Sequence, residues 1–390
     1  DLPPDLPPMA AGLVGYMAYD MVREAENLPD ANPDTLGVPD GIFLRPTVVA
    51  VLDHVKNVVD VVTPVWAHDG AGAERAWADA RARLDAVLAD FDRALPHRGT
   101  PYTGATDLPE PESTLTREQY HRVVETAKEY VRAGDIFQVV PSQRFSVPFD
   151  LPPFTLYRAL RRLNPSPYMF YMGFEDFALV GASPEILVRL EDDTVTVRPI
   201  AGTRKRGADA REDEALARDL VSDPKERAEH LMLLDLGRND VGRVARAGTV
   251  KVTEQMTVEY YSHVMHIVSN VQGELAPGHD AMDALMAGFP AGTVSGAPKV
   301  RAMEIIDELE PVRRGVYAGC IGYFSAAGGM DTCIALRTAV VKDGTLHVQA
   351  GGGVVHDSDP EAEYQESRNK ARALLRAAEE ALRFAAAYGR

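Results

Sequence analysis

A chain of 390 residues with 45% apolar and 25% charged residues has the length and balance of a folded globular protein with one large core or two ordinary ones, not of a disordered segment. Its net charge of −17 argues against nucleic acid or an anionic membrane as partner, and no apolar run approaches the roughly 20 residues of a membrane span. It opens on Asp1 with no secretory signal, so it reads as a trimmed chain or fragment from the cytosol.

Residues 12–20, 42–53 and 58–65 have the Val- and Tyr-rich pattern of strands, the last two joined by a turn at Lys56-Asn57. Residues 72–94 have helical period, and the Pro/Gly/Thr-rich stretch 96–114 reads as linker or surface loop. Thr116 and Gln119 form a capping box; Tyr120, Val123, Val124, Ala127, Tyr130 and Val131 make the apolar stripe of the helix that follows, and Gly134 closes it. A strand then runs from Ile136 to Phe145, a helix ends before Asn164-Pro165, and strands cover 168–174 and 177–182. Residues 186–190 and 194–198 form a hairpin about Asp192-Asp193. Helices follow at 209–222 and 224–237, strand-like runs at 249–254 and 261–271, and a helix at 280–288. Another helix begins near Ala297, strands fill 316–350 with a turn at Asp343-Gly344, and the last helix runs from Pro360 to about Ala385. Cys320 and Cys333 each lie in an apolar strand-like run and read as core residues of a reducing compartment. Strands in hairpins with helices between them, and no repeated βαβ unit, predict an α+β fold with mainly antiparallel sheets.

Two acidic segments share one local frame: Asp223-Pro-Lys-Glu226-Arg-Ala-Glu229 and Asp359-Pro-Glu-Ala-Glu363-Tyr-Gln-Glu366. Asp as N-cap and Pro at the first helical position start a helix, and each helix then carries two carboxylates at i and i+3 on one face. Four such carboxylates brought together would require a cation, most simply Mg²⁺. The alternative is a pair of solvated faces, with Glu226 paired to His230 and Glu366 to Lys370. Arg198 to Gly207 reads as a basic loop after a strand, with Arg204, Lys205 and Arg206 suited to an anion. Gly351-Gly352-Gly353 ends a strand with backbone N–H groups free to bind a carboxylate, or is a flexible turn. Gly292 to Lys299 looks like a P-loop but has the wrong spacing; its helix start could still receive an anion. Glu185, in Ser183-Pro184-Glu185 at a strand end, suits a general acid if burial raises its pKa, and is otherwise a turn residue. His266 lies within a strand-like run, where a satisfied core histidine is the ordinary reading.

Together these segments resemble the chorismate-utilising enzymes, most closely the anthranilate synthase component I family. The resemblance is carried by Pro199-Ile-Ala-Gly-Thr-Arg204, Asp223 to His230 with Leu236-Gly-Arg-Asn-Asp240, and Glu259-Tyr-Tyr-Ser-His-Val-Met-His266. Phe289 to Lys299, Gln349 to Gly353 and the final acidic helix complete it, in the family's order over about residues 115–384. It implies antiparallel sheets packed face to face with helices around them, a catalytic domain over 115–384, and the remainder of an N-terminal region over 1–112 packed on that core.

The resemblance also implies roles. Glu229 and Glu366 would ligate Mg²⁺, with Glu226 and Glu363 holding its waters. Arg337, Tyr317 and the backbone of Gly351, Gly352 and Gly353 would hold the enolpyruvyl carboxylate of chorismate, with Lys370 near the ring carboxylate. Gly202, Thr203 and Thr293 would line the ring; Glu185 would protonate the departing C4 hydroxyl, with His266 on the same side. Family members that add water carry a Lys base where Gln138 stands, and aminodeoxychorismate synthases carry Lys where Ala201 stands, so both positions favour anthranilate synthesis from ammonia. Neither cysteine lies in a nucleophile elbow, so a separate glutamine amidotransferase subunit is expected to supply the ammonia. Pro165, Ser166, Pro167, Tyr168 and Met169 match one wall of the family's regulatory tryptophan site. The intact protein is expected to be inhibited by tryptophan and this fragment is not.

Overall fold

The computed structural model describes residues 3, 6–65, 72–94, 102, 104–261 and 264–388. Residues 96–101 and 103 of the expected linker, and Ser262 and His263 of the Glu259–His266 motif, lie outside these. Among the described residues the α-helices are α1 (Ala73–Phe91), α2 (Arg117–Ala133), α3 (Pro153–Leu163), α4 (Ala210–Ser222), α5 (Pro224–Gly242), α6 (Ala281–Gly288), α7 (Lys299–Leu309) and α8 (Pro360–Tyr388). Their starts follow the chemistry of the sequence. Thr116 and Gln119 form the expected capping box on α2, which ends on Gly134 in the left-handed conformation at φ 82°. Asp223 accepts the Lys225 and Glu226 N–H groups at the head of α5.

Nine strands form one sheet and six another, every pairing antiparallel. In the larger sheet the long strand Val264–Glu274 pairs along one edge with Lys251–Tyr260. Its other edge is shared end to end by Thr194–Val197 and Ile200–Lys205. The sheet continues through Ile186–Glu191, Met330–Ile334 and Cys320–Ser325 to Gly12–Met17 and Gly41–Leu44. The smaller sheet runs Glu112–Ser113, Ser142–Pro148, Thr345–Gly351, Thr338–Lys342, Phe177–Ser183, Tyr168–Gly173. Tyr16, Ile321 and Cys333 of the larger sheet pack with Phe177, Leu179 and Val340 of the smaller one, so the sheets meet face to face. Helices α5 and α6 cover the outer face of the larger sheet, and α3 and α8 that of the smaller. Cys320 and Cys333, on neighbouring strands, point to opposite faces and are buried and free.

Several expected elements are revised. The strand over 42–53 is two, Gly41–Leu44 and Val49–Asp53, the second forming its own hairpin with Val58–Val62 through Asn57 at φ 54°. The strand over Ile136–Phe145 breaks at Pro141, which has no N–H for a ladder. The expected basic loop is largely a strand, Ile200–Lys205. Its arginines are engaged by acids: Arg204 with Asp219, Asp223 and Glu226, each at 2.9 Å, and Arg206 with Asp213. The strand expected at 249–254 runs over Lys251–Tyr260, and the one expected at 261–271 is displaced to Val264–Glu274. Helix α7 starts two residues later than Ala297, and Lys299 is buried in an ion pair with Asp240 at 2.9 Å, so that segment holds an internal charge.

Candidate active site

Glu185 follows the strand Phe177–Ser183 and is 4% exposed. Burial drives its carboxyl up to about 7, against the downward pull of the Thr293 hydroxyl, the Ile200 backbone N–H and the Arg337 charge. Thr293 Oγ1 donates to Glu185 Oε1 at 2.8 Å from a short 3-10 turn, Gly292–Val294. That turn is pinned from below. Arg314 donates to the carbonyls of Val294 at 2.7 Å and Val140 at 2.6 Å, while Glu310 holds the same guanidinium. A Cβ on Gly292 would meet Leu236 Cδ2 at 2.0 Å, so that side chain would have to shift for any larger residue.

Arg337 adopts a left-handed backbone, φ 47°, which a non-glycine residue holds only where its surroundings impose it. Among the described residues no hydrogen bond or ion pair ties its guanidinium down; Glu185 and Tyr261 are its titratable neighbours. Tyr317 is buried, its phenol pushed up to about 12, with the Gly351 backbone N–H facing it.

His266 is half buried on the strand Val264–Glu274 and faces a bulge in the neighbouring strand between Ala201 and Thr203. Gly202 at φ 70° makes that bulge and turns its carbonyl to His266 Nδ1 at 2.9 Å. A carbonyl only accepts, so the ring proton sits on Nδ1 and Nε2 keeps its lone pair. The Thr203 hydroxyl lies 3.1 Å from the same nitrogen, and desolvation lowers the ring's pKa, which keeps it neutral. His230, by contrast, is fully buried, with Nε2 2.6 Å from Ser269 Oγ and Nδ1 without a hydrogen-bond partner among the described residues. The pairing of Glu226 with His230 is therefore not made.

The acids of α5 and α8 approach one another across two glycine segments. A Cβ on Gly352 would stand 2.5 Å from Glu363 Oε2 and 3.8 Å from the Glu366 carboxyl carbon, and one on Gly202 would stand 3.0 Å from Glu226 Oε2. Burial and the negative charges of Glu226 and Glu366 raise the Glu229 pKa, offset in part by Lys225. Glu363 is pushed up to about 6, chiefly by burial, and its Oε2 has no hydrogen-bond partner among the described residues. Ser358 satisfies only the other oxygen, at 2.8 Å. Each acid leans on a separate partner: Glu226 on Arg204 at 2.9 Å, Glu229 on Lys225 at 3.9 Å, Glu366 on Lys370 at 2.8 Å. As they lie, no group of three or more His, Cys, Asp or Glu among the described residues encloses a metal position. Oxygen donors only, repelling charges, one orphaned buried oxygen and a cradle that a Cβ would fill nonetheless fit a hard divalent cation.

Lys370 also donates to the Gly351 carbonyl at 2.9 Å, which ties α8 to the glycine run. Gly353 abuts Gln138, where a Cβ would meet Nε2 at 2.1 Å, and Gln138 Oε1 is buried without a partner. Of the segment Pro165 to Met169, Tyr168 lies apart from the acids, between Arg189 and Asp331, each at 2.9 Å from its hydroxyl. The sequence-based reading gave no role to Arg314, Glu310, Ser358 or Tyr261; only Tyr261 carried a signal, as part of the Glu259–His266 motif.

The sequence profile of the chorismate binding enzyme family matches residues 2–376. Anthranilate synthase component 1 of Cereibacter sphaeroides is 65% identical over 99% of this chain and 77% of its own length. The component 1 of Thermus thermophilus is 54% identical over 96% of the chain and 79% of its own. Among solved structures, anthranilate synthase component I from Streptococcus pneumoniae superposes with a TM-score of 0.86 at 43% identity, covering 94% of this chain and 80% of that one. The menaquinone-specific isochorismate synthase of Escherichia coli, at 24% identity and a TM-score of 0.73 over 94% of this chain and 79% of its own, shares the fold. The chain belongs to the chorismate binding enzyme family.

Proposed function

We propose that this chain is a lyase making anthranilate from chorismate and ammonia, with release of pyruvate and water, as the first committed step toward tryptophan in the cytoplasm. The observation that carries this reading is the buried Glu185, its carboxyl at about 7, held by Thr293 and within electrostatic reach of Arg337. A proton is available there near neutral pH. Hydroxide is a poor leaving group unless protonated, and Glu185 delivers that proton to the C4 hydroxyl while ammonia bonds to C2. Loss of the C2 proton and of the enolpyruvyl group as pyruvate then gives the aromatic product.

Arg337 and Tyr317, with the backbone of Gly351 to Gly353, hold the enolpyruvyl carboxylate; Lys370 assists at the ring carboxylate, and Gly202, Thr203 and Thr293 line the ring. Neutral His266 stands against the ring with an unprotonated Nε2. A magnesium ion held by Glu229 and Glu366, with Glu226 and Glu363 holding its waters, would neutralise the ring carboxylate when bound. Gln138 is a neutral amide and no base for water, which supports ammonia as nucleophile. Residues 115–384 form the catalytic domain, with 1–112 packed on it.

A glutamine amidotransferase subunit supplies ammonia, and Pro165 to Met169 contribute one wall of a tryptophan site. The test is anthranilate fluorescence from chorismate, ammonium and Mg²⁺, with pyruvate measured in parallel. Equal amounts of both products are expected. No anthranilate, or an aminated product retaining the enolpyruvyl group, overturns the reading. Formation of anthranilate from glutamine by the chain alone overturns the separate amidotransferase.

A further inference from the structure

We infer that Tyr261 is a positioning residue whose ring edge holds the His266 imidazole in its working orientation; this rests on the reading of His266 as part of the reactive site. Tyr261 closes the turn before the strand Val264–Glu274, its N–H donating to the Val264 carbonyl at 2.8 Å. Its ring meets the His266 imidazole nearly edge-on, with centroids 5.3 Å apart and planes at 67°. The phenol donates to Glu259 Oε2 at 3.0 Å, and Arg198 Nη2 holds Glu259 Oε1 at 2.6 Å. Arg206 Nη1 donates to the Tyr261 carbonyl at 2.7 Å, so the residue is fixed at both backbone and side chain.

The other hold on His266, the Gly202 carbonyl, fixes which nitrogen carries the proton. That carbonyl and the Thr203 hydroxyl both meet the ring at Nδ1 alone, which leaves the imidazole free to swing about that nitrogen. The edge of Tyr261 removes that freedom, as outer partners do for histidines at metal sites. Glu185 and Arg337 both lie within electrostatic reach of Tyr261, which places it on the side of the site they share.

The experiment compares Tyr261→Phe, Tyr261→Leu and Tyr261→Ala by steady-state kinetics with chorismate and ammonium, and by ¹⁵N NMR of the His266 side chain, assigned by its loss in His266→Asn. Phe keeps the ring edge and is expected to retain kcat within about threefold, with a single Nδ1–H tautomer for His266. Leu keeps bulk without the edge, and Ala keeps neither; both are expected to lower kcat at least tenfold, with KM for chorismate within about twofold and averaged His266 nitrogen shifts. Leu keeps the test open if Ala does not fold. Unchanged kcat and shifts in Leu and Ala, or a rise in KM alone, overturn the positioning role. If the wild type forms no anthranilate while Leu and Ala still show averaged His266 shifts against its single tautomer, the proposed reaction is overturned and this inference stands.

Discussion

Glu310 and Glu363 are both more than nine-tenths buried, yet they are treated oppositely. The Glu310 carboxylate receives the Ser142 N–H at 2.7 Å, the Ser142 hydroxyl at 2.8 Å and two guanidinium N–H groups of Arg314. Arg314 in turn ties down the carbonyls of Val140 and Val294. Glu363 receives one hydroxyl and keeps one oxygen unpartnered, close to the like charge of Glu366. A buried ion satisfied on every side holds the frame in place. A buried ion left short of partners stores free energy that a bound cation would release. The contrast separates an acid that ties the scaffold together from one left short of partners.

Substitutions on the two sides of this contrast should diverge. The largest effect is expected for Glu366→Gln, at an exposed position: a loss of about 10³-fold or more in anthranilate formation, since a carboxylate proposed to ligate Mg²⁺ is removed, with the melting temperature unchanged. Activity within tenfold of wild type would break the assignment of the α5 and α8 acids. Glu185→Gln should cost about 10²-fold or more in kcat. For the wild type, Glu185 must carry its proton, so kcat/KM per free ammonia should fall as pH rises through about 7. A profile flat to pH 9 would remove Glu185 as the acid.

Glu310→Gln should behave as a stability mutation. It leaves Arg314 buried without its counter-charge and should lower stability by about 3–5 kcal/mol, read from the urea midpoint. The smallest effect is expected for Glu363→Gln in metal-free buffer at pH 8. Burial already opposes ionisation of that side chain, so the amide should match or exceed wild-type stability while the gain in melting temperature from added Mg²⁺ shrinks. Equal losses of stability at positions 310 and 363 would erase the contrast.

Much of this molecule could be read locally. The capping box at Thr116 and Gln119, the Asp223-Pro224 helix start, and the turns at Asp192-Asp193 and Asp343-Gly344, whose left-handed angles are 47°, 58°, 49° and 70°, all depend on residues within four of one another. The acidic pairs were equally plain, being set by the 3.6-residue period of one helix. The strand at Ile200–Lys205 was missed because its glycine and charges mimic a loop; only pairing with Val264–Val268, 59 to 68 residues away in sequence, makes it a strand. Arg314 and Glu310 likewise gave no sign, because their partners Ser142, Val140 and Val294 are brought in by other elements.

The sequence alone determined the starts of α2 and α5 and the turns at Asp192-Asp193 and Asp343-Gly344, because capping and turn geometry are short-range properties. The tertiary structure decided which acids are satisfied and which are left wanting, that His230 is buried while His266 meets the Gly202 carbonyl, and that among the described residues no hydrogen bond or ion pair holds the Arg337 guanidinium. Those outcomes depend on desolvation and on partners contributed by distant strands, and neither exists until the two sheets close on each other.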